Sequence, residues 1–106
     1  MINNEQTTIW RVENWKGEGC YWGKPTRSIL RRHEDEETHP APQVDKGILR
    51  APKKNEICGF LSLEQAKEWF TEKELQALRV YFEFELREIK VSKITARGAK
   101  QVLAIR

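Results

Sequence analysis

A chain of 106 residues that is 39% hydrophobic has room for one compact core and excludes two independent ones. The sequence holds no apolar run near the ~20 residues of a membrane-spanning helix, and its start lacks the basic and apolar segments of a signal peptide. The net charge of +3 is too small to indicate a nucleic-acid partner by itself.

The two cysteines, Cys20 and Cys58, are fewer than a secreted domain of this size usually carries. We therefore predict a cytoplasmic protein with two reduced, unpaired thiols and no membrane association. From Lys90 onward the chain has basic residues and no acidic ones, which predicts a local basic surface.

The first predicted element is a strand over residues 7–13, which follows a flexible N-terminus at 1–7. Trp10 and Val12 share one face of this strand with Thr8, whereas Arg11 and Glu13 point the other way.

A long irregular region comes next. Residues 14–57 hold all four prolines and show no long periodic stretch, only a short helical turn over 28–33. Loops of this length in a small domain are generally functional or disordered. We therefore expect 24–57 to be an irregular, partly mobile loop region, with 33–56 as its mobile part.

Two short consecutive helices follow, each introduced by a capping box. The first box begins at Ser62 and ends at Gln65, and the second begins at Thr71 and ends at Glu74. We predict helices over 62–70 and 71–80. Their expected packing face consists of Leu63, Ala66, Phe70, Leu75 and Leu78.

After Tyr81 the hydrophobic period changes from helical to alternating, which predicts a strand. Phe82, Phe84 and Leu86 share a face, but the apolar set resumes out of phase at 89 and 91, so a β-bulge is expected near 87–88. A turn at 97–100 leads to a last strand over 101–105, and the last two strands should form a hairpin. The chain is thus predicted to be a single α+β domain over 1–106, in which the first strand joins the C-terminal strands in an antiparallel or mixed sheet.

Two constellations suggest metal or covalent chemistry. His33 and His39 bracket four acidic residues, as a carboxylate–imidazole metal site would need, but these acids also balance the arginines just before them. Cys58 and His39 are candidates for a thiol–base pair, although a buried free cysteine is the commoner case. We therefore predict no metal, no cofactor and no catalytic residue.

The run from Gly17 to Gly23 has the glycines of a phosphate-binding loop. It lacks the Lys-Ser/Thr pair that follows a P-loop and no βαβ unit surrounds it, so a turn after the first strand is the better interpretation. Aromatic and basic residues of this region interleave as in single-strand nucleic-acid platforms, and nucleic-acid binding stays open as an alternative: Trp15, Lys16, Tyr21, Trp22, Lys24 and Arg27.

Five short motifs together resemble small proteins encoded by tailed bacteriophages and prophages: Trp10-Arg11-Val12-Glu13, His39-Pro40-x-Pro42, Asp45-x-Gly47, Cys58-Gly59-Phe60-x-Ser62-x-x-Gln65-x-x-x-Trp69-Phe70 and Lys100-Gln101-Val102. The resemblance runs over roughly residues 8–106. It implies a phage accessory protein, a class that commonly binds and neutralises a host protein, a nucleic acid or a signalling nucleotide.

A more distant resemblance is to ADP-ribosyltransferase-like folds. It rests on Arg11 in the first strand, on Phe60-Leu61-Ser62 and on Glu83-Phe84-Glu85. The chain departs from that pattern because it is short and lacks the full Ser-Thr-Ser triplet. The resemblance implies an NAD-dependent transferase as an alternative function.

The residues as a whole favour a binding module over an enzyme. Recognition residues concentrate on loops that a rigid scaffold holds, and arginine and tryptophan dominate interface energetics. We predict that the contact surface consists of Arg11, Trp15, Trp22, His39 and Asp45, with Arg11 offering a fork to phosphate or carboxylate. The expected partner is a host protein or a nucleotide-type ligand.

Overall fold

The computed structural model describes residues 7–21 and 26–106 and confirms the α+β fold class. The elements in chain order are β1 (Thr7–Glu13), a 3-10 helix (Arg31–Glu34), β2 (Glu56–Gly59), α1 (Leu63–Trp69), α2 (Glu72–Phe82), β3 (Glu85–Val91), β4 (Lys93–Arg97) and β5 (Val102–Ile105). The bounds of β1 are those predicted, and the predicted turn at 97–100 joins β4 to β5 in a hairpin. No helix within the described ranges is long and apolar enough to cross a membrane.

The strands form two antiparallel sheets that are joined at two places. One sheet pairs β1 with β3, and the other has the order β2-β5-β4. Trp10 of β1 and Phe60, which directly follows β2, exchange two backbone hydrogen bonds of 2.7 Å. Only Ser92 separates β3 from β4, and its N–H donates to the Ile105 carbonyl at 2.7 Å. The chain therefore passes from one sheet into the other without a loop.

The core consists of two clusters, and β1 contributes to both. The first core cluster is formed by Val12, Cys20, Leu30, Phe60, Ala66, Trp69, Phe70, Leu78 and Phe84, under the two helices. The second core cluster is formed by Ile9, Val91, Val102 and Ala104, between the sheets. Because β1 is covered on both faces, the face that carries Arg11 and Glu13 is not a solvated one.

The prediction for the segment that leads into β3 is wrong in two respects. Phe82 is the last residue of helix α2, and the C-cap residue Glu83 takes a left-handed conformation with φ of 60°. The strand therefore begins only at Glu85. The pairing with β1 is continuous from Glu85 to Val91 and holds no bulge. The apolar residues change phase because Leu86 packs on the first core cluster and Ile89 on the second.

Both helices begin where the capping residues predicted. Thr71 and Glu74 form the complete capping box of α2. Ser62 accepts from the Gln65 N–H, but the Gln65 side chain accepts from Leu61 rather than from the N-cap itself. The prediction that Leu63 belongs to the packing face of the helices is wrong, because Leu63 is 36% exposed. It is the first residue of α1, and the buried residues of that helix, Ala66 and Trp69, come three and six residues later.

Candidate functional site

A cleft of about 310 Å³ lies where the loop after the 3-10 helix packs against the end of α1 and the start of β5. We call it the aromatic cleft, and its principal lining residues are Tyr21, His33, Glu36, His39, Trp69 and Gln101. Its volume is at the lower end of the range of small-ligand pockets, which begins at about 300 Å³. The cleft is therefore large enough for a single side chain or a small planar group.

A line of hydrogen bonds holds the aromatic wall of the cleft. The Nε2–H of His33 donates to Glu74 Oε1 at 3.0 Å, and His33 Nδ1 accepts from the Tyr21 hydroxyl. The Trp69 indole N–H in turn donates to the Tyr21 oxygen at 2.6 Å. These partners place the proton of neutral His33 on Nε2, because the carboxylate of Glu74 can only accept.

His39 closes the same wall from the loop. Its Nε2–H donates to the Trp69 carbonyl at 2.6 Å, and its Nδ1 accepts from the Thr38 hydroxyl at 2.8 Å. The rings of His33 and His39 are stacked with centroids 4.1 Å apart. Both histidines are thus fully engaged in holding the loop against α1.

Burial and charge set the protonation of this wall. Burial lowers the pKa of His33, and this effect exceeds the opposing one of Glu74. Burial raises the pKa of Glu74, but bonds from Arg32, the Thr71 N–H and His33 outweigh it, so the net pKa is lowered. Burial also raises the pKa of Tyr21, whose hydroxyl faces inward although the residue is 56% exposed. At neutral pH the wall therefore holds a neutral imidazole, a carboxylate and a neutral phenol.

The two cysteines are free, and neither is an activated nucleophile. Burial raises the pKa of Cys20 to about 12. Burial raises the pKa of Cys58 as well, and the nearby Arg11 only partly offsets this. Thiolate is the reactive form, so both thiols are poorly suited to covalent chemistry near neutral pH. Within residues 7–21 and 26–106, no three His, Cys, Asp or Glu side chains are grouped as a metal ion would require.

Of the predicted contact residues, His39 lines the cleft and Arg11 lies next to it. The side chain of Arg11 is only 13% exposed. It donates to the Cys58 carbonyl at 2.8 Å, and its Nε lies 3.4 Å from Glu13 Oε1. Arg11 lines a smaller cavity of about 50 Å³ that shares Tyr21 and Trp69 with the aromatic cleft.

The other predicted contact residues do not line the cleft. Asp45 is 1% exposed and accepts from the backbone N–H groups of Ala99 at 2.6 Å and Lys100 at 3.2 Å, so it stabilises the turn between β4 and β5. Trp15 is 71% exposed, with Lys16 Nζ 5.3 Å from its ring centroid. Trp22 lies outside the described residues.

Tyr21 was considered from the sequence only for a nucleic-acid platform and His33 only for a metal site, and neither Trp69 nor Gln101 was selected. The signal that could have found Trp69 and Gln101 is the set of motifs on which the resemblance to phage proteins rests. The segments His39-Pro40-x-Pro42, Trp69-Phe70 and Lys100-Gln101-Val102 all contribute to the cleft, although they are about 30 residues apart in the chain.

The residues behind the transferase resemblance have structural partners. Ser62 is the N-cap of α1, and Glu83 is the C-cap of α2. Glu85 lines a groove between α2 and β3, whereas Arg11 lines the small cavity beside Cys58. Arg11 and Glu85 thus line two different cavities of the described structure, whereas an NAD site built from both would need them to face one.

A family model described as "Bacteriophage T4 Y00F protein" matches residues 2–106. The predicted resemblance to small phage proteins is thereby confirmed. No curated protein and no solved structure matches the chain.

Proposed function

Because the chain belongs to the bacteriophage T4 Y00F family, we propose that it is a phage accessory protein that binds a host protein in the host cytoplasm without catalysing a reaction. The observation that carries this proposal is the aromatic cleft, whose walls are held in place by hydrogen bonds before any ligand arrives. Preorganised walls reduce the ordering cost of binding.

Binding is favoured over catalysis by the state of the reactive groups. A general base needs a lone pair free to accept a proton from substrate, but His33 and His39 already accept from Tyr21 and Thr38. The thiols of Cys20 and Cys58 are protonated for the reason given above. These groups serve the packing of the loop and leave the cleft as a recognition surface.

A host protein is favoured over a nucleotide by the charge around the cleft. Glu34 and Glu36 line its rim, and of the residues in 7–21 and 26–106 no arginine or lysine lines it. Phosphate recognition normally uses arginine, lysine or free backbone N–H groups. A nucleotide would instead place its negative charge beside two carboxylates.

The test is to fill the cleft and measure the loss of partner binding. Ala41 is exposed and lines the cleft, whereas Ala51 is exposed on the same loop region and does not. Wild-type protein, Ala41→Trp and the control Ala51→Trp are each cross-linked in host lysate, and captured proteins are identified by mass spectrometry. Binding of the identified partner is then measured by titration with purified protein. We expect Ala41→Trp to lose the partner and Ala51→Trp to retain it.

The alternatives have their own outcomes in the same samples. Consumption of NAD that disappears in Arg11→Ala or Glu85→Ala would replace the proposal with the transferase. Retention of an oligonucleotide with a steep salt dependence would replace it with nucleic-acid binding. A partner bound equally by wild type and Ala41→Trp would show that the cleft is not the contact surface.

A further inference from the structure

The aromatic wall of the cleft offers a ligand acceptors rather than side-chain donors. Its donors are used internally: the Nε2–H groups of His33 and His39 and the indole N–H of Trp69 all have partners. The Tyr21 hydroxyl donates to His33. A ligand can therefore bond to the side chains of this aromatic wall only by donating.

Gln101 supplies one such acceptor at the floor of the cleft. The residue is 4% exposed, and its side-chain Nε2 donates to the Pro40 carbonyl at 2.6 Å. A carbonyl can only accept, which identifies the bonded atom as the amide nitrogen and leaves Oε1 as the acceptor of the amide. Among the described residues, no group donates a hydrogen bond to Oε1.

The rim supplies acceptors that carry charge. Glu34 forms an exposed ion pair with Arg27 at 3.1 Å. Glu36 is exposed, lines the cleft, and forms no salt bridge with any other residue in 7–21 or 26–106. The cleft thus combines aromatic side chains, the neutral amide of Gln101 and the carboxylate of Glu36.

We propose that the aromatic cleft binds the side chain of an arginine on the partner protein, an inference that rests on the proposed function. A guanidinium carries five donors in a planar fork and stacks on aromatic faces. One donor edge reaches Gln101 Oε1 while the other faces Glu36. A lysine ammonium has the charge but neither the flat face nor the two separated donor edges.

The probes are Nα-acetyl-arginine N-methylamide, its lysine and citrulline counterparts, and adenosine monophosphate. Binding to the wild-type chain is followed by ¹H–¹⁵N NMR shifts of the Trp69 indole N–H and the Gln101 side-chain amide. Citrulline keeps the shape of arginine and removes its charge. We expect arginine to bind about fivefold to tenfold tighter than citrulline, with lysine between them. Equal binding of citrulline, or tighter binding of adenosine monophosphate, would overturn the inference.

Glu36→Gln tests the rim, with Glu37→Gln as its matched control. Both residues are exposed members of one acidic run, but only Glu36 lines the cleft. We expect Glu36→Gln to weaken arginine binding about twofold to fivefold and Glu37→Gln to leave it nearly unchanged. An equal loss in both variants would mean general attraction to the acidic run and would overturn the site.

The two proposals can fail separately. A host partner that depends on the cleft, together with a cleft that ignores the arginine probe, leaves the proposed function and removes this inference. If the cleft binds the arginine probe but no host partner is found, the arginine site stands and the proposed function falls.

Discussion

Replacement of Phe70 by alanine should be among the most damaging single changes to this protein. Phe70 is 2% exposed, and its ring centroid lies 4.9 Å from that of His33 and 6.1 Å from that of Phe60. Returning a phenylalanine side chain to water costs about 1.5–3 kcal/mol, and each aromatic pair adds about 0.5–1.5 kcal/mol. With the cavity left behind, the expected loss is about 3–5 kcal/mol of the free energy of unfolding. A domain of this size has only about 5–15 kcal/mol in total.

The assay is urea denaturation followed by tryptophan fluorescence, and the control is Phe82→Ala. Phe82 is the last residue of α2 and is only partly buried, so its loss should cost roughly half as much or less. Phe70 also packs under Tyr21 and His33, so Phe70→Ala should loosen the aromatic cleft as well. A denaturation midpoint that Phe70→Ala leaves unmoved, or moves no further than Phe82→Ala does, would refute this packing.

Three further predictions concern titration, the turn and the thiols. Burial lowers the pKa of His33 below its ordinary value of about 6.5. Below about pH 6.5 the unfolded chain therefore binds a proton at His33 that the folded chain does not bind, so the free energy of unfolding should fall as the pH falls. Between about pH 7.5 and about pH 5, the urea midpoint of His33→Gln should decline less than that of the wild type. Glutamine is chosen because its amide can donate and accept in the same places as the imidazole. An equal decline of the two midpoints would contradict this assignment. Asp45→Asn should cost about 1–3 kcal/mol in urea denaturation, because the buried side chain then turns an N–H₂ group toward one of the two N–H groups in the turn after β4, which loses its acceptor. A neutral result would exclude that role. Cys20 in the folded protein should react with iodoacetamide far more slowly than Cys58, and far more slowly than Cys20 does in urea, because it is buried and has a pKa of about 12. Mass spectrometry measures the rates of alkylation, and equal rates would contradict the burial of Cys20.

Local interactions explain which elements were predictable. Ser62 and Thr71 accept from N–H groups three residues ahead, so the starts of both helices are set within one turn of chain. The turn at 97–100 and the strand over 7–13 carry comparable local signals. The α+β class follows from these elements, because together they supply strands and helices in one short chain.

The aromatic cleft required the tertiary structure. His39 meets the carbonyl of Trp69, which is 30 residues away, and Asp45 meets N–H groups 54 and 55 residues away. The sequence marked both as polar loop residues and hence as candidates for contact with a partner. Their burial depends on which distant segment covers them, and no local pattern records that.

The change in the apolar alternation along β3 likewise separates what the sequence determined from what the tertiary structure decided. The sequence determined that Leu86 and Ile89 are apolar and fall on opposite faces of a strand, and a bulge was the economical interpretation for a sheet with one buried face. Only the tertiary structure decided that both faces are covered, by the first and second core clusters respectively. The hydrophobic pattern of a segment reports that its side chains are buried, but the number of layers around it is set by how the rest of the chain closes over the sheet.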